Sequence, residues 1–134
     1  MTFKEYLGKM RGTTRGGPPR VSNSEVVWSW IGGFVGILAV SWLNQLWFEG
    51  ADLTLLIGSF GASAVLIYGA VRSPLAQPRN LVGGHVVSAF TGVLAWKLLH
   101  ADPWLAAAVA VATAIALMHA TRTLHPPGGA TALI

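Results

Sequence analysis

Long apolar runs separated by short polar loops constrain this chain more than any other feature of its sequence. Four such runs are each predicted to form a membrane-crossing helix, and they cover residues 26–48, 53–71, 81–99 and 103–120. A helix of about 20 apolar residues crosses a hydrocarbon core of roughly 30 Å. Only 10% of the residues are charged, whereas a soluble domain carries about 25%. The sequence therefore predicts an all-α, polytopic membrane helix bundle.

The basic residues indicate how the chain is oriented in the membrane. Residues 1–21 form a basic N-terminal segment, and one helix face of it carries Phe3, Tyr6, Leu7 and Met10. This pattern is typical of a helix lying in the membrane interface, and a solvated tail is the alternative. Lysine and arginine recur near residues 72–79 and 122, whereas the intervening loops carry Glu49, Asp52 and Asp102. We expect a multi-pass protein of the inner (plasma) membrane with a cytoplasmic N-terminus.

Local signals predict where the helices begin and which faces pack. Ser22 and Glu25 have the spacing of a capping box, and Asp102 followed by Pro103 predicts another helix start. Asn80 is interpreted as a cap of the third run before it is considered as a ligand. Three stripes of small residues predict close helix contacts, and they are Gly32–Gly36, Gly84–Ser88–Gly92 and Ala106–Ala110–Ala114.

Two similar motifs stand apart from this scaffold. Gly61–Ile67 follows a glycine-containing turn, and its pattern recurs in Gly129–Ile134 behind His125 and two prolines. We interpret both as helix starts that the scaffold brings together as an inverted repeat. Unpaired backbone N–H groups at such starts suit an anion. The candidate substrate-binding residues here are Ser59, Gly61, Ser63, Gly128, Gly129 and Thr131, and packing alone is the alternative.

The same motifs predict crowding and a titratable group. Gly61 and Gly129 are expected to lie where helix backbones meet closely. His125 is placed to donate to an anion or to carry a proton near neutral pH, or else to cap the broken backbone. His85 lies about one turn inside the third run, so we expect it to face the bundle interior.

Arg79, Asn80 and Arg122 complete the candidate site. Both arginines either recruit substrate or simply set the topology. The final apolar run, 130–134, is much shorter than the roughly 20 residues of a membrane span, which predicts that the natural chain continues into a fifth helix.

The stretch from Gly58 onward resembles the HPP family of integral membrane proteins. The resemblance rests on three segments, Gly58–Ala64, Ser73–His85 and Thr121–Ala132, and the family more often has alanine at Gly128. The resemblance implies that this chain is a small helical membrane protein of a family regarded as transporters. Plastid and cyanobacterial members of that family are associated with nitrite transport. It therefore implies an anion permease, with 22–134 as an HPP-type transmembrane domain that lacks C-terminal helices.

The expected function is a transporter or channel for a small inorganic anion such as nitrite. A structural or regulatory subunit that packs through its small-residue faces is the alternative. We expect no enzyme, because the sequence shows no nucleophile–base pair, metal constellation or phosphate loop. No cofactor or metal is predicted, since the four histidines have no ligand spacing. The net charge of +4 indicates contact with an anionic lipid bilayer, not nucleic acid, and homo-oligomerisation stays open.

Overall fold

The computed structural model describes residues 21–47 and 58–133, together with Thr2, Lys4, Glu5 and Gly8. Over these residues the chain consists of helices and loops with no strand, as predicted. The elements are α1 (Asn23–Trp47), α2 (Gly58–Ala64), a π-helical turn (Val65–Gly69), a 3₁₀ turn (Pro74–Ala76), α3 (Pro78–Leu99), α4 (Pro103–Ala120) and α5 (Gly128–Thr131). The predicted interfacial helix, apart from those isolated residues, and the acidic turn at Glu49–Asp52 lie outside the described residues.

Three of the helices are long and apolar enough to cross a membrane, namely Asn23–Leu46 in α1, the whole of α3 and the whole of α4. The described part of the second apolar run, Gly58–Gly69, is a shorter apolar helix. Large apolar side chains are exposed on the outward faces of the helices. The Trp104 side chain, for example, is 82% exposed. Such a surface suits lipid, because lipid tails are as apolar as these side chains.

The helix-start predictions have mixed outcomes. The capping box is confirmed, because the Glu25 N–H donates to Ser22 Oγ over 3.2 Å and the Ser22 N–H donates to Glu25 Oε2 over 3.0 Å. Asp102 occupies the N-cap position before Pro103, but its side chain accepts no capping hydrogen bond. Asn80 as a cap is wrong, since Gln77 holds that position and Asn80 lies within the first turn of α3.

The core forms where α3 and α4 pack through small residues, as their stripes predict. Ala106, Ala110 and Ala114 of α4 are each at most 3% exposed. Gly84, Ser88 and Gly92 form the buried face of α3. The absence of large side chains lets the two helices approach closely and leaves room for α5 at the same face. A Cβ on Gly92 would lie 2.6 Å from the Ala132 carbonyl oxygen, so the chain just beyond α5 packs directly on this glycine.

The glycine pair of α1 is also a close contact. A Cβ at Gly32 or Gly36 would lie 2.5 Å from atoms of the Tyr68 side chain. The Ser29 hydroxyl donates to the Tyr68 carbonyl. The predicted smooth face of α1 therefore receives an aromatic ring from the π-helical turn, and this ring joins α1 to the rest of the bundle.

The predicted crowding at Gly61 and Gly129 is wrong. A Cβ at either position would meet nothing within 4 Å among the described residues. Gly84 and Gly128 are crowded instead. A Cβ on Gly84 would meet His125 and the Thr123 carbonyl in the loop before α5. A Cβ on Gly128 would meet Ser88 of α3 and Met118 of α4.

Candidate functional site

The loop between α4 and α5 directs His125 into the bundle. Helix α4 ends with Arg122 in the left-handed conformation (φ 56°), and the Thr123 N–H donates to the Met118 carbonyl over 2.9 Å. This is the Schellman arrangement that reverses a chain after a helix. Proline at 126 and 127 then prevents a regular helix until α5 begins. The result is a tight turn that leaves His125 with 0% of its surface exposed.

Two side chains from the start of α3 hold this loop in place. Asn80 Nδ2 donates to the Leu124 carbonyl over 2.8 Å, and Arg79 donates to the Thr121 carbonyl over 3.1 Å. The Asn80 bond is part-buried, where an unpaired carbonyl would be costly, whereas the Arg79 bond is exposed. Asn80 and Arg79 therefore act on the shape of the site, and both lie outside its polar centre.

The start of α5 offers no free backbone donors. The N–H groups of Gly128, Gly129 and Ala130 donate to the carbonyls of His125, Pro126 and Pro127, over 2.9, 3.0 and 3.1 Å. The Thr131 N–H also donates to the Pro127 carbonyl, over 3.3 Å. The prediction of unpaired N–H groups here is therefore wrong, because the double-proline turn supplies their acceptors.

A hydrogen-bonded chain of side chains joins the two motifs. Ser63 Oγ lies 2.9 Å from Nε2 of His85 and 2.9 Å from Nε2 of His125. Nδ1 of His85 lies 2.8 Å from Thr131 Oγ1, and Nδ1 of His125 lies 2.8 Å from the Leu75 carbonyl oxygen. We call this set the Ser63 cluster, and it consists of Ser63, His85, His125, Thr131 and the Leu75 carbonyl.

The Leu75 carbonyl determines the proton positions when both histidines are neutral. A carbonyl only accepts, so Nδ1 of His125 carries the proton and its Nε2 is an acceptor. Ser63 then donates to His125 and accepts from His85, whose proton is on Nε2. Thr131 in turn donates to Nδ1 of His85. Every donor and acceptor in the Ser63 cluster is paired in this single arrangement, which is what a buried polar network requires.

Aromatic and apolar groups surround the cluster. The Phe60 ring stacks on His85 with centroids 5.9 Å apart, and the two imidazoles meet edge to face at 5.0 Å. Ser63 is 3% exposed, so water reaches little of its hydroxyl. In such a low-dielectric setting the hydrogen bonds strengthen, and a missing partner becomes expensive.

One side of the cluster borders a cavity of about 370 Å³ between α1, α2 and α3. Its walls are mainly apolar, with side chains such as Ile37, Val40 and Val86. The polar side chains in its lining are Ser63, His85 and Tyr68, and no described carboxylate is among them. A mainly apolar pocket with a few convergent polar groups is the usual form of a small-molecule site.

The structure brings together three of the residues predicted for the site: His125, Ser63 and Thr131. Ser59 is buried one turn before Ser63 on α2. Gly128 packs against Ser88 and Met118, while Gly61 borders a separate cavity beside α1. Among the described residues, Gly129 and the exposed Arg122 make no hydrogen bond to a side chain of the Ser63 cluster.

His85 and the Leu75 carbonyl are the members that the site prediction omitted. The expectation that His85 faces the interior is confirmed. Its position inside an apolar helix is the sequence signal by which it could have been included in the site. No side-chain signal marks Leu75, because it contributes a backbone atom. The structure also forms a serine–histidine contact, so the expectation that no such pair exists is wrong.

These features define a multi-pass helical membrane protein with a paired, buried polar centre. The chain belongs to the HPP family, whose transmembrane region matches residues 18–134. Two transmembrane proteins of Dictyostelium discoideum are 47% and 44% identical to it over 98% of its length. The chain spans less than half of these relatives, 43% and 46% of their lengths. No solved structure matches the chain.

Proposed function

We propose that this chain is the membrane part of a transporter or channel for a small inorganic anion, with nitrite as the first candidate. The observation that carries the proposal is the Ser63 cluster, which borders a cavity within an otherwise apolar bundle. Ionisable side chains are rare inside membrane helices, and where they occur they commonly mark the pathway of an ion or substrate. Membership of the HPP family fits this role, and the resemblance to nitrite-transporting members suggests the substrate.

The chemistry of the cluster favours an anion. Each imidazole gains a positive charge when protonated, and the hydroxyls of Ser63 and Thr131 can donate hydrogen bonds. No described carboxylate lines the cavity to offset that charge. A few hydrogen bonds and one diffuse charge bind a monovalent ion weakly, and conduction requires a site that the ion can leave.

The proposal includes a complete topology. Four spans and a fifth that begins at the His125–Pro126–Pro127 motif would place α5 at the start of a membrane-crossing helix. The N-terminus would be cytoplasmic in an inner membrane, with lipid around the apolar outer faces. The larger size of the Dictyostelium relatives supports the view that such proteins contain further segments.

Two other functions compete with transport. A structural or regulatory subunit is favoured by the small-residue faces of α3 and α4, which would serve packing alone. A serine–histidine pair also begins a nucleophilic site. We propose a non-enzymatic role, because the nearby backbone N–H groups at Gly128–Thr131 are engaged and none is free to stabilise an oxyanion. Lack of labelling of Ser63 by a fluorophosphonate probe would agree with this, and labelling would contradict it.

The test is anion uptake by the purified protein in liposomes. Nitrite, nitrate and formate are supplied at pH 7 and pH 6, and protein-free liposomes correct for diffusion of the acid forms. We expect nitrite uptake to rise toward pH 6, because a protonated histidine attracts the anion. His125→Gln keeps hydrogen-bonding capacity but loses the proton, so it should abolish this rise.

His119→Gln is the matched control, since His119 is exposed at the end of α4 and outside the cluster. It should retain the pH dependence. An unchanged pH profile in His125→Gln, with uptake intact, would remove His125 from the mechanism. No uptake of any of the three anions by the wild-type protein would favour the structural subunit.

A further inference from the structure

The Ser63 cluster has a second complete set of hydrogen bonds that is available only after it gains one proton. In the neutral set, donation runs in one direction, from Thr131 through His85 and Ser63 to His125 and the Leu75 carbonyl. If His125 carries a proton on both nitrogens, its Nε2–H donates to Ser63. Ser63 then donates to His85, and His85 donates to Thr131. The three hydrogen bonds between Thr131 and His125 thus reverse their donor and acceptor, while His125 still donates to the Leu75 carbonyl. No heavy atom has to move.

We propose that the Ser63 cluster binds a single proton, shared between His85 and His125 through the Ser63 hydroxyl, and that this proton is the coupling ion taken up with each anion. The proposal rests on the proposed anion transport and adds its coupling ion, its stoichiometry and a role for His85.

The proton charge passes from water to His125 in three linked steps. A hydronium ion from the aqueous phase gives its proton to Nδ1 of His85, and the Thr131 hydroxyl turns to accept from the new N–H bond. The Nε2–H bond of His85 then breaks as that proton moves to Ser63 Oγ. The original Ser63 O–H bond breaks as its proton moves to Nε2 of His125. His85 ends neutral with its proton on Nδ1, and His125 ends as the cation.

Exposure gives the two histidines different roles. His85 lines the cavity, where an ion and water can reach it. His125 is 0% exposed, so it gains a proton only through a neighbour, and Ser63 at 2.9 Å is that neighbour. His85 is therefore the entry group, and His125 is the buried store.

The geometry limits the pair to one proton. The two rings are 5.0 Å apart, and like charges at that distance disfavour each other strongly in an apolar interior. Two such groups titrate as a unit. Tyr68 is the one other titratable side chain among the described residues that line the cavity, and α1 contributes only Gly36, Ile37 and Val40. From the other described elements the cluster meets the Phe60 ring and the Leu75 carbonyl, and neither carries a charge.

The first experiment observes the protons directly, by ¹⁵N NMR of labelled histidine in the protein reconstituted into lipid. A background with His100→Gln and His119→Gln removes the two exposed histidines, so that only the pair reports. At pH 8 we expect one ring protonated on Nε2 and the other on Nδ1. On acidification to pH 5.5 we expect one proton per chain, exchanging between both rings. Identical tautomers at pH 8, or two charged rings in one step, would overturn the proposal.

Substitution of the bridging hydroxyl tests the sharing. Ser63→Ala should stop the exchange, so that the added proton stays on one ring, whereas Ser63→Thr should keep the exchange. Ser88→Ala is the matched control, because Ser88 is also buried but among the described residues its hydroxyl hydrogen-bonds only the Met118 sulfur, at 3.8 Å. Exchange that persists in Ser63→Ala would show that the hydroxyl is not the bridge.

The second experiment measures coupling in liposomes, as protons and nitrite taken up by the wild-type protein. We expect one proton for each nitrite, and at least a tenfold loss of coupled uptake in Ser63→Ala but not in Ser88→Ala. Nitrite uptake without protons would refute the coupling and leave the proposed function standing. No uptake of nitrite, nitrate or formate would refute the transport function and the coupling with it, while the NMR result would still decide whether the proton is shared.

Discussion

Replacing Gly84 by alanine should destabilise the protein although alanine is the better helix former. Gly84 lies within α3, opposite the loop that carries His125. A Cβ there would lie 2.5 Å from His125 Cβ and 3.0 Å from the Thr123 carbonyl oxygen. Neither neighbour yields easily. The His125 ring is hydrogen-bonded at both nitrogens, and the Thr123 backbone is bonded to Met118.

Whether Gly84→Ala raises or lowers the free energy of unfolding depends on two opposing effects, helix propensity and overpacking. Alanine in place of glycine gains about 1 kcal/mol of helix propensity. Inserting a methyl group into a packed interior costs about 1–3 kcal/mol, and more where backbone must move. Here the contact is shorter than any ordinary Cβ contact and one neighbour is backbone, so the upper end of that range applies. We expect Gly84→Ala to lower the free energy of unfolding by about 1–2 kcal/mol.

Gly61→Ala is the matched control, because a Cβ at Gly61 meets nothing within 4 Å among the described residues. It should be neutral or should stabilise by up to about 1 kcal/mol. Thermal unfolding of both variants in the same detergent measures the difference, with about 3–6 °C expected per kcal/mol. Equal midpoints for the two variants, or a lower one for Gly61→Ala, would refute the packing argument.

Three further outcomes are expected. Asn80→Ala should lower the free energy of unfolding by about 1–3 kcal/mol, since it leaves the Leu124 carbonyl unpaired, and a thermal midpoint equal to wild type would contradict this. Arg122→Gly should keep or raise the thermal midpoint, because glycine adopts φ 56° without strain, whereas Arg122→Val should lower it. Cysteines introduced at Gln77 and Ala101, at opposite ends of α3, should react with impermeant reagents from opposite sides of the membrane, the one at Gln77 from the cytoplasm. Labelling at Gln77 from outside would show that the orientation is the opposite of the one expected.

Sequence patterns determined three long helices of this fold because those patterns are local, whereas the second apolar run is a shorter helix over its described residues. Apolar runs give the long helices α1, α3 and α4, and their outward faces follow from the same composition. The capping box at Ser22 and Glu25 forms as spaced, since both partners lie within one helical turn. The alanines of α4 and the small residues of α3 meet because their period matches that of a helix.

Tertiary structure decided which polar groups meet and which of the glycines predicted to be crowded are in fact crowded. Ser63, His85 and His125 lie on separate segments, and no local pattern specifies that two imidazoles share one hydroxyl. The Leu75 carbonyl sets the tautomer of His125, but every residue has a backbone carbonyl, so the sequence does not mark this one. Gly61 and Gly84 look alike in sequence, but only Gly84 faces a backbone. The space beside a residue depends on packing partners distant in the chain, which is why the motifs located the site but not its contacts.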